Sequence, residues 1–180
     1  MKMRVVAGEL RGRRIEAPGG KTTRPTTDKV REAVFNALGS INVVIDAVVV
    51  DLFAGSGALG IEALSRGAAS CTFIEGDRKA VACIKSNLQQ LGLEPRATVV
   101  QGDVMVNLTR AAGADVVLAD PPYGFTNWGG LLAVLAEKCD NRKVLFVAES
   151  DEPLENVEGW EIVRSKRYGG TWVSFFQQVP

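Results

Sequence analysis

Two short runs hold the residue types and spacings that could do chemistry: Asp51-Leu52-Phe53-Ala54-Gly55-Ser56-Gly57-Ala58-Leu59-Gly60 and Asp120-Pro121-Pro122-Tyr123. In the first, Gly55, Gly57 and Gly60 have the spacing of a glycine-rich turn that lets a backbone approach an adenosine-containing cofactor. Glu75, at the end of the next apolar run, stands where a ribose-binding acid belongs. A nicotinamide dinucleotide and S-adenosylmethionine both satisfy that pattern. Charge separates them. A dinucleotide sets its pyrophosphate over the turn, where Asp51 would face like charge, whereas the ammonium and sulfonium of S-adenosylmethionine would be attracted. The competing reading of Asp51 is a buried strand-end acid bonded to nearby backbone.

The second run chooses the acceptor. Consecutive prolines remove two backbone donors and stiffen a turn, which leaves its carbonyls facing outward as acceptors. The Asp120 carboxylate and the Pro121 carbonyl could each take one hydrogen of a ring-attached amino group, and Tyr123 offers a stacking face for the base. The chain contains no histidine. Catalysis by positioning suits it better than strong-base catalysis. On these residues alone adenine, cytosine and guanine all remain open as targets.

The expected catalytic set is Asp120, Pro121, Pro122 and Tyr123. The expected cofactor set is Asp51, Phe53, Ala54, Gly55, Ser56, Gly57, Glu75, Gly76, Asp77, Gly102, Asp103, Val104 and Asp120. Within it, Asp77 suits a surface role nearly as well. Asp103 could take the adenine amino group or only cap the following helix. Cys71, Cys83 and Cys139 lack the paired spacing of a disulfide framework or a zinc site and read as small buried hydrophobes; no metal is expected.

These residues need a scaffold, and the 180 residues suit one core. The spacing predicts strands at 48–53, 70–75, 97–101, 114–120 and 143–149, alternating with helices that open after Gly57, run from Asp77 to Leu91, and run from Gly130 to Cys139. Such alternation implies a parallel sheet covered on both faces. Two final runs, 160–167 and 171–177, join at Gly169-Gly170 with no room for a crossover helix and should form an antiparallel hairpin. The expected fold is α/β, a Rossmann-like class I S-adenosylmethionine-dependent methyltransferase with a seven-stranded, mostly parallel sheet in the order 3-2-1-4-5-7-6, its last strand antiparallel. A hairpin at 3–16 precedes it, and Thr26, Thr27 or Asp28 should cap a helix ending at Gly39.

Charge is unevenly placed. Residues 1–31 hold nine basic groups against three acids, a net of +6, while the remainder, with 12 basic and 18 acidic residues, is −6. Six of the nine are arginines, suited to bidentate phosphate contact. The division expected is a basic hairpin arm over 1–22 and a catalytic domain over 23–180. Arg4, Arg11, Arg13 and Arg14 would grip the phosphates of a polyanion, with Lys21 and Arg24 following them in the chain, and Arg167, with Arg164 and Lys166 near Tyr168, would form a second basic patch. No apolar run nears the roughly 18 residues that span a bilayer, and the start lacks a secretory apolar region. A cytoplasmic location is expected.

With these residues in view, the chain resembles the RsmD-type family, the bacterial 16S ribosomal RNA guanine-N2 methyltransferases. The resemblance covers nearly the whole length: the string Arg24-Pro25-Thr26-Thr27-Asp28-Lys29-Val30-Arg31-Glu32, then Phe35-Asn36, the Asp51 to Gly60 turn, Ile74-Glu75 and the Asp120 turn. It departs at Gly76, where many relatives carry a larger residue. The resemblance implies methylation of one guanine N2 in 16S rRNA, within an assembled or nearly assembled 30S subunit, by a monomer using S-adenosylmethionine. An N6-adenine methyltransferase shares the tetrapeptide but normally needs an added recognition domain. A nicotinamide-dependent oxidoreductase would leave Asp120 to Tyr123 and the basic arm idle.

Overall fold

A computed structural model describes residues 3–19, 27–139 and 143–179. The chain opens with two short strands, β1 (Met3–Arg4) and β2 (Arg14–Ile15), then α1 (Asp28–Ser40). The alternating region follows: β3 (Val48–Leu52), α2 (Ala58–Ser65), β4 (Ser70–Glu75), α3 (Arg78–Leu91), β5 (Ala97–Gln101), α4 (Val104–Asn107), β6 (Val116–Ala119), α5 (Trp128–Cys139) and β7 (Leu145–Ser150). The chain closes on β8 (Trp160–Tyr168) and β9 (Thr171–Gln178).

The large sheet has the order β5-β4-β3-β6-β7-β9-β8, which is the expected 3-2-1-4-5-7-6. β3 to β7 are parallel, and β9 runs antiparallel to both β7 and β8. Alternate residues face opposite sides. Val49, Phe73, Leu118 and Val147 pack under α1, α2, α3 and the amino-terminal hairpin. Val50, Leu52, Val117, Phe146 and Ala148 pack under α4 and α5. Burial on both faces explains why these strands read as unbroken apolar runs.

Several boundaries shift by one or two residues, with β6 beginning at Val116, α5 at Trp128 and β7 at Leu145, and three differences have a clear local reason. β3 stops at Leu52 because Phe53 adopts φ +57, a conformation costly for a side-chain-bearing residue, and begins the turn. α1 is capped by Thr27, whose hydroxyl accepts from Val30 N at 3.3 Å, and runs through Gly39 to Ser40. The amino-terminal hairpin has a short ladder, Met3 with Ile15 and Arg4 with Arg14, extended by Val5 N donating to the Arg13 carbonyl and Gly12 N to the Val5 carbonyl, each at 2.9 Å. From Val6 the chain turns to α2: Gly8 lies so close that a Cβ there would sit 1.9 Å from the Ser65 carbonyl oxygen, and Glu9 N donates to that oxygen at 2.8 Å.

Two side chains of α2 hold the hairpin. Glu62, fully buried, accepts from Val6 N (2.8 Å) and Ala7 N (2.9 Å). Ser65 Oγ accepts from Leu10 N and donates to the Ala7 carbonyl. Arg31, also fully buried, lies 3.5 Å from Glu62, donates to Asp28 at 2.7 Å and to the Arg4 carbonyl. One of the nine basic groups of the first 31 residues is thus internal and cannot meet phosphate.

Candidate active site

The carboxyl ends of β3, β4, β6 and β7 open onto one cavity of about 860 Å³, within the roughly 300–1,000 Å³ of small-molecule and cofactor sites. Its wall brings together Asp51, Phe53, Ala54, Gly55, Ser56, Glu75, Asp77 and the whole Asp120 to Tyr123 turn. Gly57, Gly76, Gly102, Asp103 and Val104 lie off that wall.

On the glycine-turn side the backbone is held by carboxylates. Gly55 takes φ +57 and Gly57 φ +80, the left-handed region that favours glycine. Glu75 accepts from Gly55 N and Asp77 N, each at 2.8 Å, so it fixes the turn while facing the cavity. Asp77 caps α3 through Ala80 N (2.8 Å), and Asp103 caps α4 through Val106 N (3.1 Å), the capping alternative weighed from sequence. A Cβ on Gly57 would touch Phe73 and Ile84 at 3.4 Å, which marks it as a packing glycine at the head of α2.

Asp51 is 1% exposed and accepts from Gly60 N at 2.9 Å. Burial pushes its carboxyl well above the ordinary carboxylate range. The Gly60 amide opposes that shift, and the nearby carboxylates of Asp120 and Glu75 add to it. The backbone-bonded geometry raised as an alternative is therefore present, on a residue that still lines the cavity. A cation there would draw the carboxyl back toward its ionised form.

On the proline-turn side, Asp120 follows β6 and reaches the field of Asp51. Tyr123 is 66% exposed, its ring presented to solvent rather than to the core. The Pro122 carbonyl does not stay outward as the sequence suggested: it accepts from Phe125 N at 3.2 Å and tightens the turn. Gly124 N donates to Asp151 at 3.0 Å, which ties the turn to the end of β7. Phe53, Phe125 and Trp128 meet edge to face, with centroids 5.2 and 4.9 Å apart. Trp128 both packs in the core and walls the cavity.

Sequence reasoning passed over Ala17 to Gly19, Lys79, Glu149, Ser150 and Asp151, all on the wall. Glu149 had a legible signal, an acid ending an apolar strand run as Asp51, Glu75 and Asp120 do. Asn87 gave none. Fully buried, it donates to the carbonyls of Glu16 (2.9 Å) and Ser56 (3.0 Å) and accepts from Glu16 N (2.9 Å), joining the post-hairpin strap to the glycine turn.

Arg4, Arg11, Arg13 and Arg14 are exposed, Arg13 also reaching the Gln90 carbonyl at 3.1 Å; Lys21 and Arg24 lie outside the described residues. The carboxyl-terminal basic patch divides. Arg164 and Lys166, paired with Phe175 and Val173, stand on the hairpin's side of the sheet, and Arg167, opposite Trp172, on the other.

The family model "Conserved hypothetical protein 95" matches residues 3–177. The chain belongs to this family. It is 39% identical over 184 residues to "Putative rRNA methyltransferase YlbH" of Bacillus subtilis, covering 98% of this chain and 99% of that one. It is 34% identical over 175 residues to the ribosomal RNA small subunit methyltransferase D of Haemophilus influenzae, covering 93% and 90%. A solved structure, "Putative methyltransferase yhhF" from Escherichia coli, superposes with a TM-score of 0.83 at 35% identity over 99% of this chain and 98% of that one. The family is therefore the RsmD-type methyltransferase family that the Arg24 to Glu32 string suggested, and the fold is the Rossmann-like methyltransferase fold. No described helix is long and apolar enough to cross a membrane.

Proposed function

We propose that this member of the family transfers a methyl group from S-adenosylmethionine to the exocyclic N2 of a guanine in small-subunit ribosomal RNA. The observation that carries this reading is the shared cavity: the glycine turn after β3 and the Asp120 to Tyr123 turn after the adjacent strand β6 line one wall. The guanine and the ribosomal RNA come from the family; the cavity supplies the chemistry.

The residues present fit the cofactor. Gly55 has nothing but the Phe53 carbonyl oxygen, 3.9 Å away, near the place of an added Cβ, so its backbone is open to a ligand. Glu75, with two lone pairs on each oxygen, can accept ribose hydroxyls while keeping its two amide donors. Asp51 and Asp120 set negative charge where an ammonium and a sulfonium would lie. When bound, the cofactor supplies a methyl on positively charged sulfur, the bond that breaks as carbon joins nitrogen.

The chain's own groups then position the acceptor. The Asp120 carboxylate and the Pro121 carbonyl each accept one amino hydrogen, which holds the nitrogen toward the methyl and favours its pyramidal, nucleophilic form. Tyr123 stacks on the base. The amine, acidic once alkylated, gives its proton to the carboxylate that already holds it, so no strong base is needed. A guanine within paired or stacked RNA must first be splayed out to reach this turn.

Around this centre, Arg4, Arg11, Arg13 and Arg14, with Lys21, Arg24 and Arg167, are the proposed phosphate contacts, and residues 1–22 the arm that carries the first of them. The substrate is the assembled or late-precursor 30S particle, met by a monomer in the cytoplasm. Mapping methylated guanines in rRNA from a deletion strain tests the reading: one guanine N2 should lose its methyl group and regain it on complementation. Loss of an N6-methyladenine instead, or of no base, would overturn it. A thermal shift by S-adenosylhomocysteine and none by NAD should accompany the result.

A further inference from the structure

Four acids stand in a row across the site. Glu75, Asp51, Asp120 and Glu149 end or follow the neighbouring strands β4, β3, β6 and β7, all on the cavity wall. Strand alternation puts them on one face, since Phe73, Val49, Leu118 and Val147, two residues before each, belong to the same core cluster. The reading above uses the first three. Glu149, 4% exposed, is left without a role in it.

Its position relative to Asp120 follows from the strand register. Ala119 pairs with Ala148 in the parallel β6–β7 ladder, so the next residues, Asp120 and Glu149, stand side by side on strands about 4.8 Å apart. The Gly124 to Asp151 hydrogen bond clamps the Tyr123 turn to the end of the same strand. A base lying on Tyr123 with its amino group at Asp120 can turn one of the ring positions beside its amino carbon, N1 in guanine, toward Glu149.

That neighbouring position separates the bases. In guanine the amino group at C2 adjoins N1–H, so two donors lie together. In adenine and cytosine the amino group adjoins a bare ring nitrogen, an acceptor. An ionised carboxylate only accepts. Two adjacent carboxylates complement the guanine edge and set lone pair against lone pair for the other two. A buried polar group left facing the wrong partner gives the strongest discrimination a site can build.

We propose that Glu149 is the specificity-determining residue for guanine, its carboxylate accepting N1–H while Asp120 holds the N2 amino group. This rests on the guanine-N2 reading given above and adds to it the residue that rejects other amino-bearing bases. Arg167 and the exposed arginines of the hairpin would then bring RNA to the site without choosing the base.

The test uses small subunits reconstituted with guanine or 2-aminopurine at the mapped nucleotide. 2-Aminopurine keeps the amino group at C2 but carries a bare N1. The full-length protein should methylate guanine at least 100-fold more efficiently, by kcat/KM, than 2-aminopurine. Glu149→Gln, whose amide can donate to a bare N1, should shrink that ratio at least tenfold while S-adenosylhomocysteine binds within twofold of its normal affinity. Equal use of the two bases by the unaltered protein, or an unchanged ratio in Glu149→Gln, would overturn the assignment. If Glu149→Gln loses S-adenosylhomocysteine binding, Glu149→Ala reads the same ratio in its place, and an unchanged ratio there overturns the assignment. Unselective methylation that still falls on guanine N2 sinks the Glu149 role and leaves the guanine-N2 reading standing. Failure to methylate the guanine subunits at N2 sinks both.

Discussion

The two turns of the cavity are built in opposite ways. The glycine turn is internally bonded: Glu75 holds Gly55 and Asp77, Asp51 holds Gly60, and Asn87 holds Ser56, all at 2.8 to 3.0 Å. The proline turn carries its most prominent ring, Tyr123, 66% exposed to solvent. One half is complete before its ligand arrives; the other presents a surface that a second molecule must cover. A small cofactor rewards a preformed cradle, since ordering done in advance is not charged against binding. A nucleobase drawn from folded RNA brings its own bulk and needs an accessible face.

Substitutions on the two sides should therefore fail differently. The largest effect is expected for Asp120→Ala, which removes an acceptor that strengthens as charge develops on the nitrogen. Turnover should fall about 10²–10³-fold, as for other lost transition-state contacts, while calorimetry still detects S-adenosylhomocysteine. Near-normal methyl transfer would show that the proline turn does not position the amine. Glu75→Ala should do the reverse, raising the KM for S-adenosylmethionine roughly 10- to 100-fold with a smaller change in kcat. It deprives the Gly55 and Asp77 amides of their acceptor and loosens the turn that the cofactor meets. A pure kcat defect would contradict the division drawn here.

Tyr123→Ala should weaken the RNA substrate by about 1–3 kcal/mol, the usual worth of base stacking on an aromatic ring, and Tyr123→Phe should restore most of it. Steady-state KM for RNA reads both. The smallest effect concerns Asp51. Its carboxyl is held well above the ordinary range by burial, so the folded protein binds that proton more tightly than the unfolded chain. The resulting stability is present below the ordinary carboxylate pKa and is lost as pH rises toward the raised folded value. Asp51→Asn, which keeps an acceptor for Gly60 N, should flatten the dependence of Tm on pH across that window. An unchanged slope would mean that Asp51 is ionised in the ligand-free protein.

The sheet was legible because its strands are apolar on both faces. Ser70–Glu75 and Ala97–Gln101 occur with their expected limits, and the strand order is that of the methyltransferase layout which the βα rhythm and the terminal hairpin resemble. What escaped depends on contacts between residues far apart in the chain. The hairpin ladder is short because Ser65 and Glu62 compete for its backbone, and nothing in residues 3–16 announces that. Arg31 reads as one more cation of a basic arm until Glu62 and Asp28 enclose it. Phe53 at φ +57 breaks a local rule at the mouth of the cavity, where such exceptions gather. Glu149 carries the same strand-end signature as Asp51, but no short motif surrounds it.

The clasp between hairpin and body also sets an order in time. Val6, Ala7, Leu10, Arg13 and Glu16 bond to partners 55 to 77 positions further along the chain. A growing polypeptide makes these residues first and their partners later, so the arm must wait, undocked, until α2 and α3 have been synthesised. Long-range closures of this kind follow local structure in folding. The Val6 and Ala7 amides should gain hydrogen-exchange protection after those of β3 and β4, so residues made before the sheet dock after it.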